Sequence, residues 1–115
     1  MKIEEIAKLI EGEIVTDAGV YDYEITHAFT SDLMSDVLTI NHQEGIVLLT
    51  GLANVQTIRT TEMANLNLVI LVRGKKANDD MIEIAKENDI VIIESKYSAF
   101  RASAVLFNAG IKSLF

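Results

Sequence analysis

Four stretches of this 115-residue chain hold residue types from which a binding site can be built. They are His27-Ala28-Phe29-Thr30-Ser31-Asp32, Thr50-Gly51-Leu52-Ala53-Asn54, Arg73-Gly74-Lys75-Lys76 and Ser95-Lys96-Tyr97-Ser98. The third is a dense basic cluster in a chain with ten Lys and Arg against seventeen Asp and Glu, a net charge of −7. Cations just before a helix N-terminus, where backbone N–H groups and the dipole also favour negative charge, suit a phosphate or carboxylate. The simpler reading is that Gly74 makes a turn and the solvated cations aid solubility. Thr50-Gly51 followed by Asn54 reads as a tight turn exposing backbone N–H groups before a helix, with Gly51 free to take positive φ or let a ligand approach. The competing reading is an ordinary strand-to-helix turn with Asn54 as cap. Thr30, Ser31 and Asp32 either hydrogen-bond a ligand or cap their own helix, and capping is expected of at least one. The candidate ligand-binding set is therefore Thr50, Gly51, Asn54, Arg73, Gly74, Lys75, Ser31 and Asp32.

Signals of catalysis are thin. His27 and His42 are the two histidines, and proton transfer would need a positioned partner and a cleft that the sequence does not display. Without cysteine there is no disulfide framework, thiolate metal site or thiol nucleophile. Neither HxxH nor HExxH spacing occurs, so a zinc site is not expected. The phosphate-loop pattern GxxxxGK[ST] is absent, and Ser95, Ser98 and Ser103 lack a GxSxG elbow. No catalytic residue, metal or cofactor is assigned, and the expectation is a non-enzymatic module. A phosphotransfer role with His27 or Ser31 as acceptor is the remaining enzyme-class reading.

The elements that must position these residues follow from periodicity. Ile3, Ile6, Leu9 and Ile10 fall at helical spacing over Lys2 to Ile10, with Gly12 as the stop. A short strand at Glu13 to Thr16, a turn at Asp17-Ala18-Gly19 and a strand within Tyr23 to Phe29 come next. A helix then buries Leu33, Met34, Val37 and Leu38, with Asp32 in its first turn. Three aliphatic runs, Ile46 to Thr50, Leu68 to Val72 and Ile90 to Ile93, are continuous rather than alternating. Between and after them lie helices at about Asn54 to Ala64 (Val55, Ile58 and Met63 inward), Asp79 to Asn88 (Met81, Ile82 and Ala85 inward) and Ser98 to Ala109. Continuous β-branched runs alternating with amphipathic helices predict a mostly parallel central sheet of about four to five strands, flanked by helices on both faces. In such sheets ligands gather at the strands' carboxyl ends, where the strand order reverses.

Composition bounds the rest. The length fits one domain over residues 1–115. An acidic chain repels phosphate backbones, so nucleic acid is not an expected partner. No apolar run reaches the roughly 18 residues a membrane span needs. The amphipathic, acidic start does not read as a signal peptide, and a cytoplasmic location is expected.

Thr30-Ser31-Asp32-Leu33-Met34-Ser35-Asp36-Val37-Leu38 resembles the SDLLSDVM segment of stand-alone DRTGG-domain proteins. The run from Val47 through Thr50-Gly51 to Asn54, Ile58 and Arg59 is similar to that family's strand, turn and helix. Leu68 to Gly74 with Lys75 looks like its second motif half, and Ile90 to Ser98 like its last strand. The chain departs from the eponymous motif, with Gly51-Leu52-Ala53-Asn54 where Asp-Arg is expected and Val72-Arg73-Gly74 where Thr-Gly-Gly is expected. Ligand roles implied by the resemblance therefore rest on the two glycines. The resemblance implies a fold like the amino-terminal domain of HPr kinase/phosphorylase. It also implies a non-catalytic, often dimeric module, of the kind found beside phosphotransacetylase domains and between CBS domains of regulatory pyrophosphatases. Stand-alone members sit in redox and hydrogenase gene neighbourhoods, with neighbours labelled as kinases, which suggests a partner protein of a redox or kinase system.

The expected function is a regulatory or partner-binding module that forms a homodimer, with small-anion or nucleotide sensing as the alternative. The segment Ala104-Val105-Leu106-Phe107 to Ile111, Leu114 and Phe115 is strongly apolar. It either packs onto its own sheet or waits for a partner to cover it.

Overall fold

The computed structural model describes residues 1–16, 22–40 and 44–115. The turn expected at Asp17-Ala18-Gly19, and His42, lie outside the described residues. In chain order the elements are α1 (Ile3–Leu9), β1 (Glu13–Ile14), β2 (His27–Thr30), α2 (Met34–Val37), β3 (Ile46–Thr50), α3 (Val55–Met63), β4 (Leu68–Leu71), α4 (Asp79–Glu87), β5 (Val91–Glu94), α5 (Ala99–Asn108) and β6 (Lys112–Ser113).

They build one sheet in the order β1-β5-β4-β3-β2-β6. The three aliphatic runs are parallel neighbours, with Val47 opposite Leu68 and Leu68 opposite Val91. Their side chains divide by parity, as successive residues of a strand must. Val47, Leu49, Leu68, Ile70, Val91 and Ile93 join α1 and α5 in one core, through Ile3, Ile6, Ala102 and Leu106. Leu48, Val69, Leu71 and Ile92 join α2, α3 and α4 in the other, through Val37, Ile58, Met81 and Ala85. Burial on both faces is why these runs are continuously apolar.

Among the described residues the sheet has six strands, one more than the upper expectation. β6, only Lys112–Ser113, pairs parallel with the outer side of β2 and is too short to carry a period. β1 is an antiparallel edge on β5. β2 (His27–Thr30) starts later than the anticipated Tyr23 and ends one residue beyond Phe29, and Ile25 N–H donates to Met1 O at 2.8 Å instead of joining the sheet.

Three local expectations are corrected. Thr30 and Ser31 do not cap α2, whose cap position is Leu33, with no side-chain capping bond. Asp32 lies before the helix rather than in its first turn, because α2 is a single turn. Leu33, Leu38 and Met63 are 58%, 50% and 64% exposed instead of buried. The first two flank that one turn, so no long stripe forms, and Met63 falls at the outer end of α3, whose inner face is Thr57, Ile58, Thr60 and Thr61.

Candidate functional site

Connections from β2 through β5 step from each strand to its neighbour, with α2, α3 and α4 all on one face. From β5 the chain returns across the opposite face through α5 to reach the far side of β2. Strand order therefore reverses between β4 and β5, adjacent parallel strands whose following helices lie on opposite faces, where a crevice is expected. Here the crevice is bridged by backbone. Arg73 N–H donates to Tyr97 O at 2.7 Å and Gly74 N–H to Ser95 O at 2.9 Å. Arg73 and Gly74 take positive φ, 57° and 72°. Two successive left-handed residues turn the chain sharply, and the non-glycine one holds a conformation that costs of order 1 kcal/mol.

Below this bridge sits Glu94, at the end of β5 and only 9% exposed. Its carboxylate accepts from Ala77 N–H at 2.7 Å and pairs with Lys76 Nζ at 3.3 Å. The basic loop is thus tied to the sheet by one of its own cations. It leads directly into α4, which is capped by Asn78 accepting from Met81 N–H and carries Asp79 and Asp80 in its first turn. The cation cluster lies just before a helix N-terminus, with Ala77 alone between Lys76 and the Asn78 cap, but the first turn of that helix carries two carboxylates of its own.

At the neighbouring strand ends, Asp32 Oδ1 accepts from Gly51 N–H at 2.7 Å and from Thr50 Oγ1 at 2.9 Å. Thr50 Oγ1 accepts in turn from Leu52 N–H at 3.2 Å. Asn54 accepts from Thr57 N–H at 2.9 Å as the α3 cap, and Ser31 Oγ accepts from Leu33 N–H at 3.0 Å. The fold brings Ser31, Asp32, Thr50, Gly51, Arg73, Gly74 and Lys75 to the carboxyl ends of the sheet, but their short-range polar groups are engaged within the chain. Arg73, Lys75 and Lys96 have exposed side chains.

Behind the β5 loop, Ser95 Oγ donates to Ile10 O at 2.7 Å and accepts from Tyr97 N–H at 3.1 Å. Tyr97 OH donates to Glu11 Oε2 at 2.7 Å, with the Arg101 guanidinium 3.9 Å from its ring centroid. The phenol's pKa is raised, first by that hydrogen bond to a carboxylate and then by burial, against the opposing pull of Arg101. Ser98 caps α5 by accepting from Arg101 N–H at 3.1 Å. Among the histidines, His27 Nδ1 lies 2.8 Å from Thr26 Oγ1.

A second region was only half legible beforehand. Between α5 and the β2–β6 edge lies an apolar groove of about 530 Å³, lined by Phe29, Phe100, Ala104, Phe107, Leu114 and Phe115 among others. Leu106 and Ile111 turn inward, at 1% and 4% exposure, whereas Phe100, Phe107 and Phe115 stand 86%, 65% and 80% exposed. Phe115 meets the Phe29 ring edge-on at 5.5 Å. Within the apolar terminal segment, Leu106 and Ile111 therefore pack onto the chain's own sheet, while Phe107 and Phe115 stay exposed. Phe100 was not singled out; its spacing from Phe107, one heptad along a helix whose buried residues are Ala102 and Leu106, was the available signal.

No protein-family model and no curated protein matches the sequence. One solved structure similar to the chain is that of the CBS and DRTGG domains of the regulatory region of Clostridium perfringens pyrophosphatase, complexed with its activator diadenosine tetraphosphate. The two superpose with a TM-score of 0.76 at 18% identity. The fold is DRTGG-like. The match covers 91% of this chain and 45% of the other, so the chain spans less than half of that neighbour's length. Among the described residues no helix is long and apolar enough to cross a membrane.

Proposed function

We propose that this chain is a non-catalytic regulatory module of the DRTGG family, related to the amino-terminal domain of HPr kinase, that works as a homodimer in the cytoplasm. The observation that carries this reading is the unpartnered apolar face of α5. Phe100 and Phe107 stand at its two ends with the small side chains of Ser103 and Ala104 between them, all lining one groove. Large-small-large order along one stripe is self-complementary. An antiparallel second copy, related by a two-fold axis near Ser103 and Ala104, sets each Phe107 toward the other's Phe100 and buries both. Groove-lining residues include Lys112 and no Asp or Glu side chain, so the acidic side chains that give the chain its charge of −7 do not face one another at the contact. Strand addition at the β6 edge is disfavoured, because that strand is two residues long and carries a lysine.

The fold neighbour belongs to the regulatory region of a larger enzyme, which supports a regulatory role over a catalytic one. Mass measurement by light scattering across a concentration series tests the proposal. A dimer that Phe100→Ser with Phe107→Ser converts to monomer is expected, and a monomeric parent chain at every concentration refutes it.

A second reading, small-anion or nucleotide sensing at Thr50, Gly51, Arg73, Gly74 and Lys75, draws support from the nucleotide activator bound by the neighbour. Ligand binding only to the native state would raise the melting temperature by mass action. Nucleotide that leaves the melt unchanged removes this reading.

A further inference from the structure

Arg73, Lys75, Lys76, Lys96 and Arg101 are five of the ten Lys and Arg in the chain. They converge on one rim although two loops and a helix supply them. The Arg73–Tyr97 and Gly74–Ser95 backbone bonds lock the two loops together, and Arg101 reaches back over Tyr97. All five residues are exposed. Glu94 holds Lys76 through an ion pair, and among the described residues no salt bridge engages Arg73, Lys75 or Lys96. Gathering like charges on a rigid support is electrostatically unfavourable unless an opposite charge completes it. In a chain of net charge −7 the concentration of cations at the β4–β5 reversal marks a surface rather than an average.

We propose that this rim docks a carboxylate-rich segment of a partner protein. The choice over a compact phosphate follows from what the backbone has already spent its donors on. A phosphate site is normally floored by converging N–H groups. Here the N–H groups of Arg73, Gly74 and Gly51 are held by Tyr97 O, Ser95 O and the Asp32 carboxylate. Asp32 and Glu94 also place negative charge beside any small dense anion drawn into the crevice. What remains outward is a row of long, exposed side chains on a fixed frame, which suits carboxylates spaced along an extended chain. Asp79 and Asp80 bound the row on the far side of the Asn78 cap, so an acidic segment is steered along the two loops and not over α4.

The test uses the full chain and a fluorescein-labelled oligoglutamate peptide, read by anisotropy. Binding is expected at low ionic strength and should weaken steeply as salt shortens the range of the interaction. The triple variant Arg73→Gln, Lys75→Gln, Lys96→Gln should weaken binding about tenfold, a factor of about two for each exposed charge pair lost. A control triple with the same change in net charge, Lys8→Gln, Arg59→Gln, Lys86→Gln, should weaken it less than about twofold. Because the rim residues are exposed, both variants should keep the parent's circular dichroism and melt; Lys75→Glu with Lys96→Glu gives an independent pair should Arg73 prove structural. Equal losses in the two triples overturn the proposal, as does undiminished binding in the rim variants. Tripolyphosphate binding more tightly than the peptide, and lost in the rim triple, overturns it in favour of a small anion. Dimer mass, measured on the same samples, reports separately on the α5 face.

Discussion

The rim at the carboxyl ends of the strands and the outer face of α5 differ in what they leave over. At the rim nearly every short-range donor and acceptor named above is engaged within the chain: Asp32 with Gly51 and Thr50, Glu94 with Ala77, Asn54 with Thr57, and Ser95 with Ile10. Only the long cations reach outward. On α5 the buried residues Ala102 and Leu106 satisfy the sheet, while Phe100 and Phe107 on the same helix stand mostly exposed. The contrast teaches that residue type marks where chemistry is conceivable, whereas partnership decides what is spare.

Substitutions sharpen the contrast, because the same kind of change should cost stability at the rim and association at α5. The largest loss of stability is expected for Glu94→Ala, which strands the Ala77 N–H beneath the basic loop; about 2 kcal/mol should disappear from the urea unfolding free energy. Asp32→Ala should follow at about 1 kcal/mol, since two hydrogen bonds to a carboxylate are lost from an exposed residue that water can partly replace. Phe107→Ser, measured on the monomer, should change unfolding free energy by less than about 0.5 kcal/mol while abolishing association. A cost as large as that of Glu94→Ala would erase the distinction between the two regions.

The smallest effect is a pH dependence. The folded pKa of Tyr97 lies above the ordinary value of 10.0, so the native state holds the phenol proton more tightly than the unfolded chain. Its stabilising contribution is complete below the ordinary tyrosine range and is lost as pH rises through the raised value. Alkaline titration of the parent should therefore show a slight decline that Tyr97→Phe removes; identical curves would mean the Glu11 contact contributes nothing.

How much of this was readable in the residues depends on what each feature rests on. The runs around Leu48, Ile70 and Ile92 are long and aliphatic enough to declare buried parallel strands, and Asn54 and Ser98 announce their helices by side-chain capping. Lys112–Ser113 became a strand only through its tertiary pairing with β2, which no two-residue pattern can reveal. Leu33 and Leu38 carry helical spacing, but the helix between them lasts one turn and leaves both exposed. At the site, spacing placed Thr50, Gly51, Arg73 and Gly74 on one rim. It did not show that Asp32 would take the Gly51 N–H, nor that two left-handed residues would lace the loops after β4 and β5 together. Those are contacts between distant segments, set by the order of strands.

Amide hydrogen exchange at low and high protein concentration tests most directly the claim that α5 is the face left for a second copy. Slower exchange on concentration is predicted for α5 and for residues 111–115, with the loops after β3, β4 and β5 unchanged. Concentration dependence in those loops, with α5 indifferent, would contradict it.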